Sequence, residues 1–199
     1  VIRVMIAEDQ GMMRDALALL LGMEDDIEVV AQTGDGEAIL GVAREARPDI
    51  ALLDVELPGR SGLDAVAELR RGGVAVLVLT TFARPGYLRR AMESGAAGFL
   101  VKDGPVEELA AAIRRVVAGE RIVDPALAAA ALTAGPSPLT GRERDVLAAA
   151  LDGAAVADIA ARLHLSESTV RNHLSAAIGK TRTRNRIEAA QLARDNGWL

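Results

Sequence analysis

"IALLDVELPG" occupies residues 50–59. Ile50 to Leu53 are apolar at every position, with no turn residue among them. A strand that is apolar throughout is covered on both faces, as the strands of a parallel sheet are. It stops at the carboxylate of Asp54, and Pro58-Gly59 predicts a loop just behind it. The question is why a buried strand should deliver an acid to its end.

The flanking segments repeat the pattern. "IRVMIA" (2–7), "IEVVAQ" (27–32), "VAVLVLT" (74–80) and "AGFLV" (97–101) read as further strands. Between and after them, "GMMRDALALLLG", "GEAILGVAREA", "SGLDAVAELRR", "PGYLRRAMESG" and "PVEELAAAIRRVVAG" carry helical spacing, closed by Gly or Pro. Five strands alternating with five helices predict an α/β fold, a doubly wound five-stranded parallel sheet. Residues 120–138, alanine-rich and then Gly-Pro-Ser-Pro, predict a short helix and a linker. Residues 139–199 are helical throughout: a small all-α domain.

Half of the 199 residues are apolar, enough for a sizeable core. There is no Cys, which excludes disulfides and thiolate metal sites and fits a reducing cytoplasm. No apolar run approaches the ~18 residues of a membrane span, and no signal-peptide pattern opens the chain. The net charge of −5 is unevenly placed. Residues 1–124 carry 14 Lys and Arg against 21 Asp and Glu, while residues 125–199 carry 9 against 7. From Arg171 to Arg186 there are basic residues and no acid, so the two parts are expected to meet different partners. On charge alone, a solvated helix face is the favoured reading.

In a parallel α/β sheet, ligands gather outside the carboxyl ends of the strands. Here those ends carry Glu8-Asp9, Asp54, Thr80-Thr81 and Lys102. If the first and third strands are neighbours, Glu8, Asp9 and Asp54 converge. Three carboxylates sharing a crevice need a cation, and Mg²⁺ suits an all-oxygen site. A carboxylate there can also act as a nucleophile and form an aspartyl phosphate, with Lys102 neutralising part of the incoming charge and the Thr80 hydroxyl donating to a phosphoryl oxygen. Taken singly, each residue has a plainer use as a cap, a turn or a surface charge. Their placement at successive strand ends is what argues for a site.

On "AED", "LLDVELPGRSGLD", "LTTF" and "GFLVKD", residues 1–119 resemble the receiver domain of two-component response regulators. The resemblance implies Asp54 as phospho-acceptor, and Glu8 and Asp9 as Mg²⁺ ligands together with Asp54 and the backbone carbonyl of Glu56. It implies Thr80 and Lys102 as the switch pair and Phe99 as the switch aromatic. Two positions depart from the family pattern. Asp103 stands where Pro often follows the lysine, and Thr81 stands where a very small residue is usual.

In the tail, "VADIAARLHLSESTVRNHLSAAIGKT" predicts two helices joined by a tight turn at His164-Leu165, with Ser166 as N-cap. Val170, Leu174 and Ile178 fall on one face of the second helix, leaving Arg171, Asn172 and Ser175 on the other, a pattern suited to the major groove. Residues 139–199 resemble the helix-turn-helix domain of LuxR-type regulators, on "LTGRERDVL", "DIAARLHLSESTVRNHL" and "RNRIEAAQLA". Joined to a receiver, this is similar to the NarL/FixJ type; "TTFARPGY" and "NGW" resemble its DesR-like branch. The resemblance implies base reading by Arg171, Asn172 and Ser175, and phosphate contacts by Ser168, Thr169 and Lys180. Arg182 is placed to add charge beside them. Val156 and Ala157 replace the polar residues common on the scaffold helix, and His173 reads as a packing residue.

The implied function is a transcription factor switched by phosphorylation. The implied partners are a sensor histidine kinase, double-stranded DNA, a second copy of the chain after phosphorylation, and RNA polymerase, with no membrane insertion. The helix from Ile187 to Asp195 is the candidate dimer contact of the DNA-binding domain. A phosphohydrolase is disfavoured because Glu56 stands where such enzymes have a second Asp. A nucleotide-binding enzyme is disfavoured because the first strand–helix turn, "AEDQG", is acidic and not glycine-rich. A constitutive DNA binder with a silent receiver should have lost Asp54, Lys102 or another site acid, and none is lost.

Overall fold

The computed structural model describes residues 1–81, 84–125, 127–129 and 137–199. The chain divides into two compact units, Val1–Ala83 with Tyr87–Ala128, and Ala129–Leu199 with Arg84–Gly86. In the first, β1 (Ile2–Ala7), β2 (Ile27–Thr33), β3 (Ile50–Asp54), β4 (Ala75–Thr80), β5 (Gly98–Val101) and β6 (Ile122–Val123) alternate with α1 (Gly11–Leu21), α2 (Ile39–Ala46), α3 (Gly62–Arg71), most of α4 (Pro85–Glu93) and α5 (Val106–Val117). The sheet order is β2-β1-β3-β4-β5-β6, and every pairing is parallel. β1 and β3 are therefore neighbours, and the strand order reverses between them, where such sheets bind ligands.

The sheet has six strands where the sequence predicts five. β6 is two residues long, too short to show a period, and lies within the span expected to be linker. It forms because α5 returns the chain to the sheet edge, where Ile122 pairs with Gly98 and buries its side chain. The short helix and Gly-Pro-Ser-Pro linker expected beyond it fall largely on residues 126 and 130–136, outside the described residues. α2 also begins later than its helical spacing predicts. Thr33, Asp35 and Glu37 hydrogen-bond among themselves, and the Gly36 amide donates to the Pro58 carbonyl. At Gly36 a Cβ would stand 1.7 Å from the Arg60 carbonyl oxygen, so only glycine lets these loops touch.

Alternation sorts the strand residues onto two faces. Val4, Ile6, Ile50, Leu52, Leu77 and Leu79 pack with Leu17 and Leu21 of α1 and with Leu109, Ile113 and Val116 of α5. Met5, Ala51, Leu53, Val76, Val78 and the fully buried Phe99 fall on the opposite face. On that side α3 is capped by Ser61 and buries Leu63, Val66 and Leu69. Arg114 of α5 grips Asp26 with two hydrogen bonds and Glu24 with a third.

The second unit holds α6 (Gly141–Ala150), α7 (Val156–Leu163), α8 (Glu167–Thr181) and α9 (Arg186–Asp195). α6 opens with a capping box: Thr140 accepts from the Glu143 amide and Glu143 accepts from the Thr140 amide. α7 ends at His164 in the left-handed region (φ 53°), which turns the chain tightly into α8. The core joins Val146, Leu147, Ile159, Val170 and Leu174 to a set of buried alanines: Ala150, Ala160, Ala177, Ala189, Ala190 and Ala193. Among the described residues, no helix is long and apolar enough to cross a membrane.

Because Leu147 is fully enclosed, Leu147→Ala should destabilise the helical unit by about 2–5 kcal/mol. Amide hydrogen exchange should show lost protection in α6–α9, with β1–β5 unchanged.

Candidate functional site

The carboxyl edge of the sheet brings together the strand-end residues singled out in the sequence. β1 runs directly into Glu8, whose amide donates to the Thr33 carbonyl at the end of β2. β3 ends at Asp54. β4 ends at the buried Thr80, whose carbonyl accepts from the Lys102 amide just past β5. Ligand oxygens of Glu8, Asp9 and Asp54 lie within 4.8 Å of one another. Glu8 is 1 % exposed and Asp54 6 %, while Asp9 stands open to solvent.

Two buried carboxylates this close need a positive partner. Lys102 Nζ lies 2.5 Å from Glu8 Oε2 and 2.9 Å from Asp54 Oδ2. Burial pulls the ammonium's pKa down, but its bonds to Glu8 and then Asp54 outweigh that and hold it above the ordinary lysine value. Asp54 Oδ1 accepts the Glu56 amide at 3.3 Å. The loop behind is folded tightly: the Ser61 hydroxyl donates to the Val55 carbonyl, and Gly59 takes φ 78°. A Cβ on Gly62 would come within 2.0 Å of the Asp54 carbonyl oxygen. The all-oxygen donor set, with one exposed member, suits a hard divalent cation that keeps part of its water shell.

Thr81 is exposed and Phe99 is buried on β5, opposite Val78. The described chain has no cis peptide, so Lys102–Asp103 is trans. Two contacts were not anticipated from sequence. The Arg14 guanidinium donates to the Glu8 carbonyl at 2.7 Å, and the Tyr87 hydroxyl donates to Glu56 Oε1 at 3.3 Å. Both join residues whose separation along the chain carries no periodic signal.

In the helical unit, α8 buries Val170 and Leu174, with Ile178 partly covered, and exposes Arg171, Asn172 and Ser175. Ser166 Oγ accepts the Thr169 amide and lies 2.9 Å from Ser168 Oγ and 2.7 Å from Thr169 Oγ1. Arg171 pairs with Glu167 one turn back, an exposed and therefore weak pair. Arg182 is exposed at the C-cap, in the left-handed region. Val156 packs against the core and Ala157 is exposed. His173 is half-buried.

Lys180 does not stand free at the helix end. Its ammonium meets both oxygens of Glu143, at 2.9 and 2.8 Å. Glu143 is 5 % exposed. Burial pushes its carboxyl up, but the Lys180 and Thr140 hydrogen bonds together outweigh that and hold it below the ordinary value of 4.5. The Thr-x-x-Glu spacing is readable as a cap, whereas nothing in the spacing of residues 143 and 180 announces the pair.

Comparison with known proteins gives two family matches. The response regulator receiver domain matches residues 4–114, and the luxR family of bacterial regulatory proteins matches residues 137–193. The chain is 43 % identical to the transcriptional regulatory protein DesR of Bacillus subtilis, covering all of this chain and 99 % of that one. It is 44 % identical to the uncharacterized regulator YvfU of the same organism over the full length of both. Among solved structures, the response regulator ChrA of a heme-sensing two-component system matches with TM-score 0.59 and 33 % identity, covering 100 % of this chain and 98 % of that one. A structure of RcsB dimers bound to DNA matches in fold, with TM-score 0.67 and 20 % identity over 98 % of each.

Removing Lys102 strands two buried carboxylates. Lys102→Met should therefore cost about 3–5 kcal/mol in urea unfolding with EDTA present, and added Mg²⁺ should restore more stability to the variant than to the wild type. At the other site the lowered Glu143 pKa gives a sign. Its contribution is complete above pH 4.5 and lost as pH falls through the lower folded value. Unfolding followed by Trp198 fluorescence should show a steeper acid loss in wild type than in Glu143→Gln.

Proposed function

The chain belongs to the response-regulator family, in the NarL/FixJ group that joins a receiver to a LuxR-type DNA-binding domain, and from that premise we propose that phosphorylation of Asp54 by a sensor histidine kinase switches its dimerisation and its binding to DNA. As a member it is a transcription regulator and not an enzyme. The observation that carries the proposal is the edge pocket: a buried Asp54 with Glu8 and Asp9 oxygens within 4.8 Å and Lys102 at 2.9 Å.

Residues 1–119 are assigned the receiver role, 120–138 the joint, and 139–199 the DNA-binding role. Glu8, Asp9, Asp54 and the Glu56 carbonyl are the groups that would hold Mg²⁺, and the bound ion would neutralise charge on the phosphoryl oxygens. An Asp54 oxygen attacks the donor's phosphorus, a P–O bond forms, and the bond to the kinase histidine nitrogen breaks. To admit the new group, Lys102 passes from the Asp54 carboxylate to a phosphoryl oxygen and keeps Glu8 as its second partner. The Thr80 hydroxyl donates to another phosphoryl oxygen, and its inward movement gives Phe99 room to repack.

On the DNA side, α8 enters the major groove. Arg171, Asn172 and Ser175 face base edges, and Ser168, Thr169 and Arg182 meet the backbone. One short helix makes few contacts, so two half-sites bound by a dimer raise both affinity and specificity. α9, the C-terminal helix, offers the exposed Ile187 to such a dimer. The protein acts in the cytoplasm, where the kinase's catalytic part, the DNA and RNA polymerase are found.

Incubation with acetyl phosphate and Mg²⁺, read by intact mass, should add one phosphoryl group. Asp54→Ala or excess EDTA should abolish the addition, and a modified Asp54→Ala variant would refute the assignment. Sedimentation with beryllofluoride, an acyl-phosphate mimic, should show a dimer where the untreated chain is monomeric. Arg171→Ala should cost about 1–3 kcal/mol in binding and relax preference at one base pair, measured on sites selected from random DNA.

A further inference from the structure

We propose that Lys180 is a positioning residue: paired with Glu143, it fixes the C-terminal end of α8 against α6 and so aims the base-reading side chains, without contacting a DNA phosphate. The inference rests on reading α8 as the DNA-reading helix.

The ammonium of Lys180 is shared between both oxygens of one carboxylate. That carboxylate is buried, and Oε2 also accepts the Thr140 amide at 2.8 Å. Glu143 is thus held by its own helix cap and cannot follow Lys180 outward. The Lys180 side chain is 38 % exposed, but Glu143 already matches its charge, so a phosphate meets a neutral pair and gains little net attraction. A lysine that stays on Glu143 neutralises no phosphate and adds nothing to the salt dependence of binding.

The pair also has a geometric consequence. α8 has 15 residues and is about 22 Å long. Its N-terminal end is fixed by the Ser166 cap, and its middle packs through Val170, Leu174 and the small Ala177. The last turn is held by the Thr181 hydroxyl on the Ala177 carbonyl and by Lys180 on Glu143. The first of these lies within α8 itself, so it cannot set the helix's direction. The second crosses to α6 and can. Bidentate base contacts tolerate little misalignment, so releasing this tie should degrade discrimination by Arg171 and Asn172, each between two and three turns away.

The test uses the full-length chain and a duplex selected from random DNA by the wild type. Lys180→Ala, Lys180→Arg, Glu143→Gln and the Ala/Gln double variant are titrated at several salt concentrations, below the Tm of each. Lys180→Ala and Glu143→Gln should each lower affinity about tenfold and shrink the preference over a scrambled duplex. The salt slope should stay at the wild-type value. The double variant should be no worse than either single one, and Lys180→Arg should recover most of the binding. The proposal is overturned if Lys180→Ala flattens the salt slope by about one unit per half-site while Glu143→Gln binds as tightly as wild type. It is also overturned if Tm falls and affinity does not, since the tie would then only hold the fold. A wild-type chain that enriches no duplex removes the DNA-reading role of α8 itself, an outcome distinct from both.

Discussion

Two carboxylates buried side by side at the end of a parallel sheet demand a positive charge between them. In this protein Lys102 supplies it, with one ammonium on both Glu8 and Asp54. The rest of the receiver unit serves that arrangement. β1 and β3 must be neighbours for the acids to meet, and β5 must end level with β4 for Lys102 to reach them. The connecting loops must be tight enough to leave the pocket open above Asp54. Gly62 and Ser61 provide that tightness in the loop that follows Asp54. The same electrostatic demand makes the pocket responsive, because any new charge at Asp54 changes what Lys102 must balance.

Glu143 and Lys180 meet the same demand in the helical unit with a different outcome. Here the acid is also a helix cap, and the cation lies on the helix that faces outward. In the first unit one lysine compensates two buried acids, so a change of charge at either acid alters what it must balance. In the second, one lysine compensates one acid that its own helix cap holds in place.

Much of this was legible in the sequence because it was periodic or terminal. The continuous apolar runs ending in Asp54, Thr80 and Lys102 gave both the strands and the pocket. Val170 and Leu174 at helical spacing gave the buried side of α8 and thereby its exposed side. What escaped had no local signal. β6 is two residues long and exists only because α5 returns the chain to the sheet edge. The late start of α2 depends on Gly36 meeting the Pro58–Arg60 turn. The partner of Lys180 lies 37 residues earlier, at the opening of another helix, and nothing local announces the pair. Arg14 on the Glu8 carbonyl and Tyr87 on Glu56 are likewise decided by how elements pack.

The buried alanines of the helical unit bear on how such a protein can diverge. Six of them stand where its helices approach one another, and several are wholly enclosed. An alanine cannot be made smaller except as glycine, which weakens a helix, nor larger without forcing neighbours apart. These positions therefore have almost no permitted alternatives, and the spacing of the helices is frozen. Arg171, Asn172 and Ser175 lie on the open side of the same scaffold and are under no such limit. Descendants of this chain can thus vary these outward side chains, while the frame that presents them stays constant.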